Sequence, residues 1–231
     1  MQAPLSRRVV IAGLAGLGVG LANRSTALAE DTPPQDAAEA LQRLNEGNAR
    51  FAAGKTRHSH ESANWRKQLV GGQKPFATIL GCSDSRVPIE LVFDQGFGDL
   101  FVVRVAGNVI APDVVGTLAY AVEHLRTPLF VVLGHEGCGA VTAAVTELQR
   151  PTEKAPGLQK LLKMIEPGLP KTYPPGTHDE QIHVAVEANV RWSLKQLAAL
   201  PAAQKLLATK EVTLAGAVYD LNTGLVRFLK T

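Results

Sequence analysis

The sequence predicts an α/β fold with a mainly parallel central sheet flanked by helices and a C-terminal antiparallel hairpin. Three apolar runs, the third without a polar residue, resemble strands that are covered on both faces, as in parallel sheets. Helical patterns separate the second and third runs and follow the third, which is the alternation typical of this class. The three runs lie at residues 76–80, 100–106 and 128–134.

The helices are predicted from apolar residues at helical spacing and from the residues that flank them. The first has Asp36 as its N-cap and stops at Gly54. The hairpin is predicted from two alternating or apolar runs around the turn "LNTG". The Pro- and Gly-rich segment 150–179 is expected to form surface loops with one short amphipathic piece, "LQKLLKMIE". The helices are expected at residues 36–53, 63–70, 114–126, 139–149 and 180–200, and the hairpin at 211–229.

Length and composition favour one globular domain. The chain has 231 residues, of which 45% are hydrophobic, enough for a sizeable core. Its net charge of +3 comes from the three arginines of residues 1–29, a stretch without acidic residues. The remaining charges balance, so no nucleic-acid partner is expected. We assign residues 36–231 to a single domain that follows a linker at 30–35.

The N-terminus has the features of an export signal. A basic pair, Arg7 and Arg8, precedes an apolar run over residues 9–22 and the small residues "ALA", which end at Ala29. The apolar run is short and glycine-rich for a membrane span. Ser6 and the arginine pair resemble a twin-arginine signal. We therefore expect a signal peptide over residues 1–29, cleavage after Ala29, and a periplasmic mature protein that is not held in the membrane.

Reactive side chains follow the first and third predicted strands. "GCSDSR" places Cys82, Asp84 and Arg86 after the first, and "GHEGCGA" places His135 and Cys138 after the third. Ligands of open α/β sheets bind at the carboxyl ends of the strands. We therefore expect these five side chains to converge at one edge of the sheet.

Two thiolates and one imidazole, with a fourth position open, form the pattern of a catalytic zinc site. The chain has only two cysteines, which excludes a four-cysteine structural site. Asp84 could close the site as a fourth ligand. Alternatively, Arg86 holds Asp84 as a carboxylate that accepts a hydrogen bond from zinc-bound water. Because two thiolates nearly cancel the zinc charge, activity is then expected to rise with pH through a group above neutrality.

The two cysteines are also compatible or incompatible with other cysteine chemistries. A disulfide between Cys82 and Cys138 is an alternative, because an exported chain meets an oxidising compartment. A cysteine phosphatase is excluded, since its motif has five residues between Cys and Arg and this chain has three. The Cys-x-x-Cys of thioredoxin-like proteins is also missing.

"CSDSR", followed 53 positions later by "HEGC", resembles the β-class carbonic anhydrases, as do "LNEGNARFAAG" and "GAVYDLNTG". The similarity runs from about Asp36 to the C-terminus. It implies reversible hydration of carbon dioxide to bicarbonate and a proton, with zinc-bound hydroxide as the nucleophile. It also implies one Zn²⁺ per chain and a homodimer or homotetramer with pockets between subunits. The implied zinc ligands are Cys82, His135 and Cys138, and the implied catalytic dyad is Asp84 and Arg86.

The resemblance suggests two substrate-pocket residues. Relatives in the plant-like branch have a glutamine fourteen residues after the first cysteine. That position is Gly96 here and Gln95 lies one residue earlier, so Gln95 is the candidate contact. Gly139 follows the last implied ligand, where the backbone is expected to pass close to the site.

Two other functions remain open on the same scaffold. One is hydrolysis of carbon disulfide or carbonyl sulfide; access to the pocket distinguishes such hydrolases from carbonic anhydrases. The other is non-catalytic binding of zinc or bicarbonate, against which the Asp84–Arg86 pair argues, because a structural site has no need of it.

Overall fold

A five-stranded sheet forms the centre of this computed structural model, which describes residues 32–230. The strand order is β2-β1-β3-β4-β5, with β1 to β4 parallel and β5 antiparallel to β4. The predicted fold class and the C-terminal hairpin are therefore confirmed. The strands are β1 (Ala77–Gly81), β2 (Leu100–Arg104), β3 (Leu129–His135), β4 (Thr213–Tyr219) and β5 (Val226–Phe228).

Eight α-helices are found within the described residues. A π-helical turn, Ala121–Leu125, continues the helix Pro112–Tyr120, and its C-cap residue Arg126 has a left-handed φ of 54°. The predicted helices are all present. The helices are α1 (Ala37–Ala52), α2 (Ala63–Gln68), α3 (Ile89–Val92), α4 (Pro112–Tyr120), α5 (Gly139–Gln149), α6 (Pro156–Ile165), α7 (His178–Ala199) and α8 (Pro201–Ala208).

Three of these helices, α3, α6 and α8, were not among the predicted helices. Helix α3 has four residues, too few to show a helical period. Helix α6 lies in segment 150–179, which was expected to form surface loops around one short amphipathic piece; instead that piece is a helix whose Leu162 and Ile165 are buried. Helix α8 begins at Pro201 and is separated from α7 by one residue, Leu200. Proline is favoured at the first position of a helix, because the N–H group that it lacks would have no partner within the helix at that position.

Side-chain caps set the beginnings of α1 and α7. The Asp36 carboxylate accepts from the backbone N–H groups of Ala38 and Glu39, at 2.8 and 2.9 Å, which confirms the predicted N-cap. Helix α7 begins with a reciprocal capping box between Thr177 and Glu180. This box places the start of α7 two residues before the predicted position.

Apolar side chains cover the sheet on both faces. Alternate residues of β3 enter two separate cores, with Val132 in one and Val131 in the other. The first core includes buried residues of α4, α5, α6 and α7, and the second includes those of α1 and α3. This double coverage explains why the strands are apolar throughout rather than alternating.

Pro34–Thr231 form one compact unit. The predicted signal peptide, residues 1–29, lies outside the described residues, and so does the first part of the predicted linker. The domain boundaries therefore stay predictions. Among the described helices, none combines the length and apolar character that a membrane crossing requires.

Candidate metal centre

The turns after β1 and β3 bring three potential metal ligands together. β1 and β3 are adjacent and parallel, with Gly81 paired to Leu133, so Cys82 and His135 leave the same edge of the sheet. Cys138 is the N-cap residue of α5. The sulfur atoms of both cysteines and a ring nitrogen of His135 all lie within 4.8 Å of one another, and all three residues are buried.

The hydrogen bonds of His135 leave its Nε2 atom available to a metal. Nδ1 lies 3.0 Å from the backbone carbonyl of Glu136. Because a carbonyl only accepts, Nδ1 carries the proton and Nε2 carries the lone pair. Nε2 is buried and has no hydrogen-bond partner within residues 32–230. A histidine that donates from one ring nitrogen to a carbonyl and keeps the other nitrogen buried without a partner is typical of a metal ligand.

The two thiols are arranged as a pair of ligands. Both cysteines are free, and their sulfur atoms lie 4.0 Å apart. The hydrogen bond from Cys138 lowers the pKa of the Cys82 thiol, while the same contact, together with burial, raises the pKa of Cys138. This contact favours the thiolate at Cys82, which is the form in which a cysteine binds a metal. Two zinc–sulfur bonds of about 2.3 Å at a tetrahedral angle separate sulfurs by about 3.8 Å, so the pair fits zinc.

Asp84 lies beside this cluster and is held by Arg86. Its Oδ1 accepts from the backbone N–H and the Nε of Arg86, both at 2.9 Å, and its Oδ2 accepts from Nη2 at 2.8 Å. These hydrogen bonds hold the pKa of Asp84 well below its usual value. Oδ2 lies 3.8 Å from Nε2 of His135. Asp84 is thus an ionised acceptor next to the three ligands, with both oxygens already bonded to Arg86.

The Asp84–Arg86 pair is accessible from the surface of the single chain. The Arg86 side chain is 56% exposed and that of Asp84 is 17% exposed. Arg86 also donates from Nη2 to the carbonyl of Gly137, at 3.4 Å. This contact links the turn after β1 to the turn after β3, so the pair and the ligands belong to one site.

Arg104, at the end of β2, fixes the turn that carries Cys82 and Asp84. Its Nε donates to the carbonyl of Cys82 at 2.9 Å, and its Nη2 donates to the carbonyl of Asp84 at 2.6 Å. The sequence analysis assigns Arg104 no such role in holding this turn. A signal was present, because Arg104 is the one charged residue in the apolar run 100–106.

The two predicted substrate contacts have other surroundings. Gln95 is buried; its Oε1 accepts from Nε of Arg43 at 2.9 Å and its Nε2 donates to the carbonyl of Phe93 at 2.8 Å. Gly139 is the first residue of α5, and a Cβ added there would meet nothing within 4 Å in the described part of the chain. The expected close approach at Gly139 is therefore not seen within one chain. Substrate contact by either residue stays a prediction.

Comparison with known proteins places this site in a family. A sequence model described as carbonic anhydrase matches residues 77–226. Carbonic anhydrase 2 of Mycobacterium tuberculosis is 45% identical over 137 residues, which is 59% of this chain and 66% of that protein. The carbonic anhydrase of Mycolicibacterium smegmatis is 36% identical over 84% of this chain and 94% of its own length. The solved β-carbonic anhydrase CcaA has a TM-score of 0.68 and 32% identity, covering 82% of this chain and 87% of that chain. The chain described here therefore belongs to the β class of the carbonic anhydrase family.

Proposed function

We propose that this protein catalyses the reversible hydration of carbon dioxide to bicarbonate and a proton at a zinc site. The observation that carries the proposal is the Asp84 carboxylate, bonded three times to Arg86 and set against a three-ligand cluster. A structural zinc site uses four protein ligands. The described cluster has three, and an oriented carboxylate stands beside it, so the arrangement favours catalysis over passive zinc binding.

Cys82, His135 and Cys138 would hold the zinc, since their donor atoms are gathered, buried and of the types that zinc prefers. When bound, zinc supplies a Lewis acid that lowers the pKa of a coordinated water and so makes a nucleophile near neutral pH. The Nδ1–H of His135 bonds to the Glu136 carbonyl, which fixes the ring orientation and keeps Nε2 directed at the cluster.

Asp84 would orient the attacking water. As an ionised carboxylate it accepts a hydrogen bond from the water O–H and donates none, so it selects a protonated oxygen next to the cluster. Arg86 fixes the plane of this carboxylate through three hydrogen bonds, while Arg104 fixes the backbone on either side of Ser83. The reacting group is thereby positioned before carbon dioxide arrives.

Stopped-flow hydration of carbon dioxide across pH, with zinc quantified in the same sample, tests this proposal. We expect about one zinc per chain and activity that rises from neutral to alkaline pH. Asp84→Asn keeps the size of the side chain but presents an N–H₂ donor in place of a carboxylate oxygen. It should retain zinc and lose activity by about 100-fold or more.

Asp113→Asn, at the exposed start of α4, is the matched control and should hydrate carbon dioxide at the wild-type rate. Undiminished turnover in Asp84→Asn would contradict the assigned role of Asp84. One zinc per chain without hydration at any pH would contradict the proposed reaction. Hydrolysis of carbonyl sulfide or carbon disulfide in that same sample would then identify the alternative substrate.

We further propose that the active protein is a homodimer or homotetramer. Within the described residues, the edge strand β2 has only β1 as a neighbour in the sheet, and its apolar residues Leu100, Phe101 and Val102 are only partly buried. An exposed apolar edge of this kind favours pairing with another chain. Sedimentation analysis should give a mass of two or four chains, and an active species with the mass of one chain would contradict the proposal.

A further inference from the structure

A buried amide on α7 is linked to the metal centre through a short turn. The 3₁₀ turn Ala106–Asn108 follows β2 and contacts Cys82. The backbone N–H of Gly107 donates to the sulfur of Cys82 at 3.4 Å. On its other side, the carbonyl of Gly107 accepts from Nδ2 of Asn189 at 2.8 Å. Asn189 therefore reaches the Cys82 sulfur through a single residue.

The conformation of Gly107 makes this link specific. Its φ of +67° is left-handed, and an added Cβ would approach Cδ1 of Ile165 to 2.7 Å. Glycine has access to this conformation without the steric cost that a side chain would bring. The hydrogen bond from Asn189 holds the carbonyl of Gly107 in place. It thereby limits the movement of Gly107, whose N–H group bonds to the sulfur of Cys82.

Asn189 lies where an apolar residue would suit the core. It is 1% exposed and lies on the same face of α7 as the buried residues Val186 and Val190. Its Nδ2 is bonded to Gly107, but its Oδ1 is buried and, among the residues that the structure describes, has no hydrogen-bond partner. A buried amide that is only half satisfied carries a cost in free energy. Its presence is explained if the N–H₂ donor has a role that leucine would not perform.

We propose that Asn189 is a positioning residue for the metal centre. It holds Gly107 so that the Gly107 N–H bonds to the Cys82 sulfur, and it thereby increases the affinity of the site for zinc. Hydrogen bonds that orient the first ligands of a metal commonly change its affinity in this way. The inference rests on the proposed zinc site.

Ser193 provides a matched control on the same two elements. It lies one turn further along α7 and is equally buried, at 1% exposure. Its hydroxyl donates to the carbonyl of Asn108 at 3.0 Å and accepts from Nδ2 of Asn108 at 3.4 Å, so these bonds join α7 to the same turn at Asn108 rather than at Gly107. Ser193→Ala therefore removes a comparable tie between helix and turn and leaves the contact to Cys82 in place.

The test compares the wild type with Asn189→Ala and Ser193→Ala. Zinc affinity is measured by competition with a chelator, and the cobalt–thiolate absorption is measured on the Co²⁺-substituted proteins. Thermal unfolding of the same samples measures their stability. We expect Asn189→Ala to bind zinc about 10-fold more weakly or worse and to shift the cobalt–thiolate band. Ser193→Ala should keep the zinc affinity and the cobalt spectrum of the wild type, even if its stability falls as far as that of Asn189→Ala.

Equal zinc affinity and an identical cobalt spectrum in the two variants would overturn the inference and leave Asn189 a purely structural contact. If Asn189→Ala fails to fold, Asn189→Leu fills the same space without the donor and replaces it in each measurement. A wild-type protein that binds neither zinc nor cobalt would instead overturn the proposed zinc site. The two failures are thus distinguished without any measurement of carbon dioxide hydration.

Discussion

Asp84 receives all three of its side-chain hydrogen bonds in the described structure from one residue, Arg86, two positions along the chain. These bonds lower the pKa of Asp84, but an ordinary aspartate, with a pKa of about 3.9, is already ionised at neutral pH. The charge of Asp84 in the working range therefore does not depend on Arg86. What Arg86 adds is orientation, because its planar group fixes the plane of the carboxylate.

Arg86→Lys separates orientation from ionisation. Lysine keeps the positive charge but lacks the planar fork, so we expect the rate of carbon dioxide hydration to fall about 10- to 100-fold. Because Asp84 stays ionised even at its usual pKa, the loss should be the same at every pH between about 6 and 9. pH–rate profiles of the wild type and the variant check this. A loss confined to the acidic end of the range would show that Arg86 acts through the ionisation of Asp84.

At the scale of elements, α7 lies close against the centre of the sheet because two glycines face it. A Cβ added at Gly134 of β3 would approach Cγ2 of Val190 to 2.6 Å, and one added at Gly216 of β4 would approach Cδ1 of Leu194 to 2.7 Å. Gly134 immediately precedes His135, so the position of α7 on the sheet also bears on the ligand. The same helix carries Asn189, which reaches the metal centre through Gly107.

Gly216→Ala tests this close packing. The added methyl group would press on Leu194 and Val190, and we expect the free energy of unfolding to fall by about 1–3 kcal/mol in urea denaturation. Gly116→Ala, inside α4, is the control, since a Cβ there meets nothing within 4 Å among the described residues. It should stabilise the protein by about 0.5–1 kcal/mol, because alanine favours a helix over glycine. Equal effects of the two changes would refute the close-packing argument.

At the scale of the whole molecule, the sequence combines a predicted export signal with two cysteines whose thiols lie side by side in the structure. The sulfurs of Cys82 and Cys138 lie 4.0 Å apart, so small movements would let them oxidise in a periplasm that favours disulfides. Twin-arginine signals export folded proteins. Zinc acquired before export would occupy both sulfurs and prevent their oxidation.

We therefore predict that the protein recovered from the periplasm begins at Glu30 and contains zinc bound by two reduced cysteines. Native intact mass checks the zinc, and denatured intact mass with and without a thiol reagent checks the first residue and the two reduced cysteines. Replacing Arg7 and Arg8 together by lysine should keep the precursor in the cytoplasm. A Cys82–Cys138 disulfide in the exported protein would contradict zinc loading before export, and normal export of the lysine variant would exclude the twin-arginine route.

Local patterns in the sequence determined the fold class and the candidate ligands. Continuous apolar runs indicate strands covered on both faces, and the structure places β1, β2 and β3 at those runs. Cys82, His135 and Cys138 stood out because they follow strand ends, and the parallel pairing of β1 with β3 brings their donor atoms together. Each inference used residues near one another in the chain, where periodicity and spacing carry information.

Only the tertiary structure decided which nitrogen of His135 faces the cluster, that Arg104 holds the Cys82 turn, and that Asn189 holds Gly107. The last two contacts join residues 22 and 82 positions apart. Their partners are brought together by strand pairing and by the packing of α7 on the sheet, neither of which leaves a local spacing in the sequence. The sequence thus determined which groups are present at the metal centre. The packing of helix on sheet decided how those groups are held, because hydrogen-bond geometry depends on distances that only the folded chain sets.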